Sequence, residues 1–131
     1  MQLGQLLDIE KNLTDLGYQI IAVSADRPEK LSESVDRHKL TYKLLSDTKL
    51  TSAKAFGIAY KMDDETVARY KTYEMDIEAA SGESHHILPV PAVFIIGTDG
   101  LIKFEYVNPD HRVRLEPEIL LSAAKSYLKK D

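Results

Sequence analysis

Side chains able to do chemistry are few in this chain, and they are scattered. The adjacent pair His85-His86 is the most conspicuous. Imidazole titrates near neutral pH and is a common metal ligand. Neighbours on an extended chain point to opposite sides, so one ion takes both only across a turn, and no metal site is expected. Asp63-Asp64-Glu65 groups three carboxylates. Such a run suits the first turn of a helix, where the macrodipole favours negative charge. Tyr42, Tyr60, Tyr70 and Tyr73 read as core or rim residues. There is no P-loop, nucleotide-binding glycine fingerprint, Gly-x-Ser-x-Gly elbow or calcium loop, and no cofactor is expected. The number that decides most is the cysteine count, which is zero. A thiolate nucleophile, a disulfide and a cysteine-ligated metal are all excluded for this chain.

The elements that must position these groups are organised around residues 88–107. Ala92 to Ile96 is an unbroken apolar run, suited to a strand buried on both faces. Gly97-Thr98-Asp99-Gly100 is a turn, since its glycines permit positive φ and Asp99 can bond its own backbone. From Leu101 the pattern alternates: Ile102, Phe104 and Tyr106 face one way, Lys103 and Glu105 the other. That is a half-buried strand folded back on the first. Pro89 and Pro91 cannot sit inside a ladder and mark the entry to this hairpin.

Upstream, Leu3, Leu6, Leu7, Ile9, Leu13 and Leu16 fall on one half of a helix over residues 1–16, with Gly17 as its stop. Residues 18–23 read as a short strand rich in β-branched residues. Pro28 opens a second helix with Leu31, Val35 and His38 on one face. Residues 42–45 form another strand. Ser46-Asp47-Thr48 then caps a helix with Leu50, Ala53 and Phe56, closed by Gly57. The alternation of helix and strand argues an α/β protein with parallel pairing. Residues 58–87 are less legible and are expected to be a helical insertion, capped at Asp63 or Asp64, running through Val67 and Tyr70 toward Ile77. Asn108-Pro109-Asp110 turns the chain. A last helix starts at Pro117 with Leu120, Ala123, Ala124, Tyr127 and Leu128 on its apolar stripe, and Lys125, Lys129 and Lys130 lie near its C-terminus.

The chain has 131 residues, one domain's worth, with 44% hydrophobic and 29% charged residues and a net charge of -4. This is globular composition. Basic residues are scattered, so no nucleic-acid surface is expected. No apolar run approaches a membrane span, no signal peptide is evident, and the expected location is cytoplasmic.

Several stretches carry a resemblance. Leu88-Pro89-Val90-Pro91-Ala92-Val93-Phe94-Ile95-Ile96 with Thr98-Asp99-Gly100 is similar to the second half of a thioredoxin-fold redox protein. Residues 18–26, ending Val23-Ser24-Ala25-Asp26, resemble a peroxiredoxin strand and the turn after it. Leu44-Leu45-Ser46-Asp47 with Ala53-Lys54-Ala55-Phe56-Gly57-Ile58 resembles the next strand and helix, and Gln2-Leu3-Gly4-Gln5-Leu6 matches the helix that follows the peroxidatic cysteine. The family is that of the peroxiredoxin-like alkyl hydroperoxide reductases and thiol-specific antioxidant proteins. The resemblance implies a thioredoxin-like α/β/α sandwich with a mixed sheet. It implies one domain over residues 1–131, N-terminally incomplete, without the strand and cysteine that precede the first helix. It also implies a cis Val90–Pro91 bond and a vestigial site surface of Pro91, Val90, Ser24 and Asp47.

Three readings follow. The first is a thiol-peroxidase-type antioxidant oxidoreductase that lacks its nucleophile and is inactive by itself. The second is a cysteine-free binding or scaffold module on the same fold. The third is a non-redox α/β domain similar to the family only in its hairpin. The absent strand would lie between residues 18–23 and 92–96. Both would then present unpaired edges, which makes self-association the expected partner interaction.

Overall fold

The computed structural model describes residues 3–72, 77–110 and 113–128. The expectations for Gln2, Tyr73, Lys129 and Lys130 lie outside these residues. The order of elements is α1 (Leu3–Asp15), β1 (Ile21–Ser24), α2 (Pro28–His38), β2 (Lys43–Ser46), α3 (Thr51–Ala55), β3 (Ala59–Lys61), α4 (Asp64–Thr72), α5 (Ile77–Ser81), β4 (Ile87–Pro89), β5 (Ala92–Ile96), β6 (Ile102–Val107) and α6 (Pro117–Leu128).

Helices and strands alternate as an α/β thioredoxin-like fold requires, and both parallel and antiparallel pairs occur. β1 pairs in parallel with β2, from Ile21 opposite Lys43 to Ser24 opposite Ser46. β3 and β4 are antiparallel, with Tyr60 opposite Leu88. β5 and β6 form the antiparallel hairpin, with Val93 opposite Tyr106. The ladder shifts register between Ile95 and Ile96. Among the described residues these are three separate two-stranded units, and β1 and β5 do not pair.

β5 explains the layering. Successive residues of a strand face opposite sides. Ile95 is buried with Leu13, Leu115, Leu120 and Ala124, and Val93 packs on the same cluster. α1 and α6 therefore cover that face. Phe94, one residue out of phase, meets Phe56 at the end of α3, with ring centroids 4.7 Å apart. Helical material thus lies on both sides of β5. The strand is less enclosed than its composition implies: Ile96 is 47% exposed, and only Ile95 is fully buried.

Local signals act where they were read. Tyr18 N–H donates to the Leu13 carbonyl at 3.0 Å and Gly17 adopts φ +95°, closing α1. Tyr18 Oη also donates to the Ala124 carbonyl at 2.8 Å. Tyr18 and Ile20 belong to the core around α1 and α6, so β1 starts at Ile21 and not at Tyr18. Pro28 opens α2, and Lys39 ends it at φ +53°. His38, expected on the covered face of α2, is exposed. In the hairpin turn, Asp99 Oδ1 accepts from Leu101 N–H at 3.0 Å and Asp99 Oδ2 from Lys103 Nζ at 2.8 Å. The Lys103 ammonium holds the Asp99 carboxyl below its ordinary range, helped by the Leu101 N–H.

Three expectations are corrected. The insertion is not simply helical: Asp63 does cap α4, accepting from Thr66 N–H at 2.6 Å, but Ala59–Lys61 and Ile87–Pro89 make a ladder. Pro89 sits inside that ladder at its end, opposite Ala59. The Val90–Pro91 bond is trans. Val90 N–H donates to the Ile58 carbonyl at 2.7 Å, and the Pro91 carbonyl accepts from Asn108 N–H at 3.1 Å. These bonds carry the chain directly from one ladder into the next, and trans is the intrinsically favoured isomer by about 0.5–1 kcal/mol.

Leu50 is the most deeply buried large side chain, 1% exposed, although its backbone sits at φ +58°. Burial outweighs the cost of that conformation. Leu50→Ala is expected to lower unfolding stability by about 2–5 kcal/mol in denaturant titration, because the backbone cost remains and the burial is lost.

Candidate functional site

The parallel pair β1–β2 ends at Ser24 and Ser46, and the loops beyond these ends meet. In open α/β sheets the carboxyl ends of the strands are the usual place for a site. Ser24 turns its own loop, with Oγ accepting from Asp26 N–H at 3.1 Å. Its carbonyl accepts from Asp47 N–H at 2.7 Å, joining the two loops. Ser46 Oγ donates to the Asp26 carbonyl at 2.7 Å, a second tie in the same sense. The Asp47 carboxylate accepts from Ser52 N–H at 3.1 Å and Ala53 N–H at 3.2 Å, so it caps α3 as its sequence position suggests.

Ser24 and Asp47 are thus brought together. Val90 and Pro91 are held by other partners, the Ile58 carbonyl and the Asn108 amide. One acid of the network was not singled out from sequence: Asp26. Burial pushes its carboxyl above the ordinary aspartate range, and the Lys30 ammonium only partly offsets this. The signal available in sequence was its position two residues after Ser24, where a serine hydroxyl commonly caps a turn.

The segment before β4 completes the surroundings. The Ala80 carbonyl of α5 accepts from Arg27 N–H at 2.8 Å, beside the Ser24 loop. His85 Nε2 lies 2.7 Å from the Thr48 carbonyl, beside the Asp47 loop. Both loops are therefore backed by residues 80–85. A shallow groove of about 410 Å³ runs nearby between α2 and β2, lined by Leu31, Val35, Leu44 and Leu45. Its walls are mostly apolar, with Ser32, Asp36 and Ser46 also lining it. Among the described residues no group of three His, Asp or Glu side chains is placed to hold a metal ion. No described helix is long and apolar enough to cross a membrane.

The model of the AhpC/TSA family matches residues 1–105, from α1 into β6. The chain belongs to the AhpC/TSA family. This is a family of peroxiredoxin-like thiol peroxidases with a thioredoxin-like fold. Comparison with curated proteins returned no match. The family match takes in the β1 and β2 loops as well as most of the hairpin, so a likeness confined to the hairpin is excluded. α6 lies beyond the matched residues, yet Leu120 and Ala124 place it in the core of this AhpC/TSA chain.

The raised Asp26 pKa has a consequence for stability. A carboxyl that holds its proton more tightly when folded makes the folded state lose ground as pH rises from the unfolded value of 3.8 through the folded one. Above both values its charge is a standing cost. Asp26→Asn is expected to raise the melting temperature at neutral pH, with the difference vanishing below about pH 3.8. A lower melting temperature for the variant at neutral pH would contradict this assignment.

Proposed function

We propose that this polypeptide is a thiol-peroxidase fold without its reaction: it does not reduce peroxides by itself. The observation that carries the reading is the absence of cysteine from a chain of this family. In the chemistry of such enzymes a cysteine thiolate attacks one peroxide oxygen and the O–O bond breaks. The sulfur becomes a sulfenic acid, and the leaving alkoxide or hydroxide takes up a proton. A second thiol later condenses with the sulfenic acid and releases water. Serine is no substitute, because the thiolate is the nucleophile and a hydroxyl is far weaker at neutral pH. Ser24 is further engaged in accepting from Asp26 N–H.

What supports a retained binding role is the construction of the two loops. Ser24, Ser46 and Asp47 are spent on holding the strand ends together and capping α3, which builds a defined surface without a reactive group. We read the location as cytoplasmic.

The partner we propose is a second copy of this chain. β1 has β2 on one side only and β5 has β6 on one side only, among the described residues. Their apolar residues are half exposed: Ile21 is 53% and Val23 50% exposed on β1, and Ile96 is 47% exposed on β5. An open edge flanked by exposed apolar side chains favours pairing with another strand.

Two measurements test these readings. Hydrogen peroxide consumption with a thiol donor, in a metal-free preparation, is expected to equal the protein-free blank. Turnover above that blank would overturn the first reading. Size-exclusion chromatography with light scattering is expected to show a concentration-dependent oligomer. A monomer at all concentrations, with cooperative unfolding, would refute the second.

A further inference from the structure

The adjacent histidines are held in two different protonation states by their partners. His85 Nε2 faces the Thr48 carbonyl at 2.7 Å, and a carbonyl only accepts, so Nε2 carries the hydrogen. Its Nδ1 accepts from Ile87 N–H at 3.0 Å, so Nδ1 carries none. His85 is thus the neutral Nε2–H tautomer. His86 is the opposite case. Its Nδ1 lies 3.2 Å from Asp64 Oδ1, and its Nε2 is hydrogen-bonded to Glu78 Oε1. Ionised carboxylates only accept, so both ring nitrogens must donate, and only the imidazolium has two N–H groups. The His86 side chain is 16% exposed, and its backbone is held at φ +58°.

These contacts cross three elements. Asp64 begins α4, Glu78 lies in α5, and His86 stands at the head of β4. The His86 carbonyl accepts from Met62 N–H at 2.7 Å, which continues the β3–β4 ladder. Among the described residues, the charged groups around the ring are accounted for. Lys71 of α4 lies 3.8 Å from Glu78 Oε2 and competes for the same carboxylate. Asp63 is turned to the start of α4, where it accepts from Thr66 N–H. Lys61 of β3 stands opposite Ile87 and is exposed.

We propose that His86 is a proton-operated clamp, which seats residues 77–86 against the loops after β1 and β2 while its ring is charged and releases them when the ring is neutral. A neutral ring has one N–H and leaves the other nitrogen's lone pair against a carboxylate, so one of the two contacts becomes repulsive. The released segment is the one that meets both loops: Ala80 at Arg27 and His85 at Thr48. The clamp therefore couples ambient pH to the surface formed by Ser24 and Asp47.

The direction follows from linkage. The Glu78 hydrogen bond, with Asp64, holds the His86 proton above the ordinary histidine pKa of 6.5. The clamp's contribution is then complete below about pH 6.5 and is lost as pH rises through the folded value.

The test is a ring-nitrogen NMR titration of the intact chain, with amide exchange read as protection factors across about pH 5.5 to 9. His86 is expected as imidazolium at about pH 6, with a midpoint above that of an ordinary histidine. Glu78→Gln should move the His86 midpoint down toward the ordinary value. Protection of the Arg27, Met62 and Gly82 amides should fall by up to about tenfold per pH unit as pH rises from about 6.5 to the His86 midpoint, and level off above it. In His86→Gln that pH step should be absent. A neutral His86 at about pH 6, or flat protection in the wild-type chain, would overturn the proposal. Both are read on the wild-type protein, so the decision stands even if the variants fail to fold.

Discussion

The structure depends on one constraint: consecutive residues of β5 must be satisfied on opposite faces. Val93 and Ile95 serve the core made with α1 and α6, while Phe94 reaches Phe56 beyond α3. A strand so short has no residue to spare, and a register slip of one would turn every side chain to the wrong layer. The hairpin turn prevents such a slip. Gly97 and Gly100 close it by backbone hydrogen bonds, and Asp99 ties Leu101 and Lys103 back to it. α1 and α6 are placed by what this strand offers them. α6 shows this well, since it lies beyond the family match yet buries Leu120 and Ala124 against the same face.

The parallel pair β1–β2 is attached differently. It is joined to the core through Tyr18 and Ile20, whereas Ile21 and Val23 remain half exposed. Its carboxyl end is held by polar contacts: Ser24 with Asp47, Ser46 with Asp26, and the Asp47 carboxylate on α3. Apolar packing thus builds one half of the molecule, and hydrogen bonding shapes the loops of the other. Half-buried Asp26 shows the cost of that second mode, because a partly desolvated carboxylate loses hydration that its neighbours do not fully return.

The chain carries the family's fold without a cysteine of its own. Membership rests on the fold and on the matched residues, while the family's reaction rests on a thiolate that no residue here supplies. A fold can persist as a scaffold because packing and catalysis draw on different side chains. Nothing in the contacts among Ile95, Leu13 and Ala124 needs a cysteine.

The sequence by itself determined whatever depends on neighbours along the chain. Gly17 ending α1, Pro28 opening α2, Asp47 and Asp63 capping the helices after them, and the Asp99 turn are all local events. The resemblance carried by Ser24, Asp47 and the hairpin residues located the family and the loops at the strand ends. Only the tertiary structure decided what joins distant segments. Ala59–Lys61 and Ile87–Pro89 are too short to announce strands, and each becomes one only by finding the other. Val90–Pro91 is trans, the isomer X–Pro bonds favour intrinsically, and its flanks are bonded to Ile58 and Asn108, partners that only folding supplies. His85 and His86 look alike in sequence. Their opposite protonation states are set by Thr48 and by Asp64 and Glu78, partners on separate elements that folding alone brings within hydrogen-bond reach.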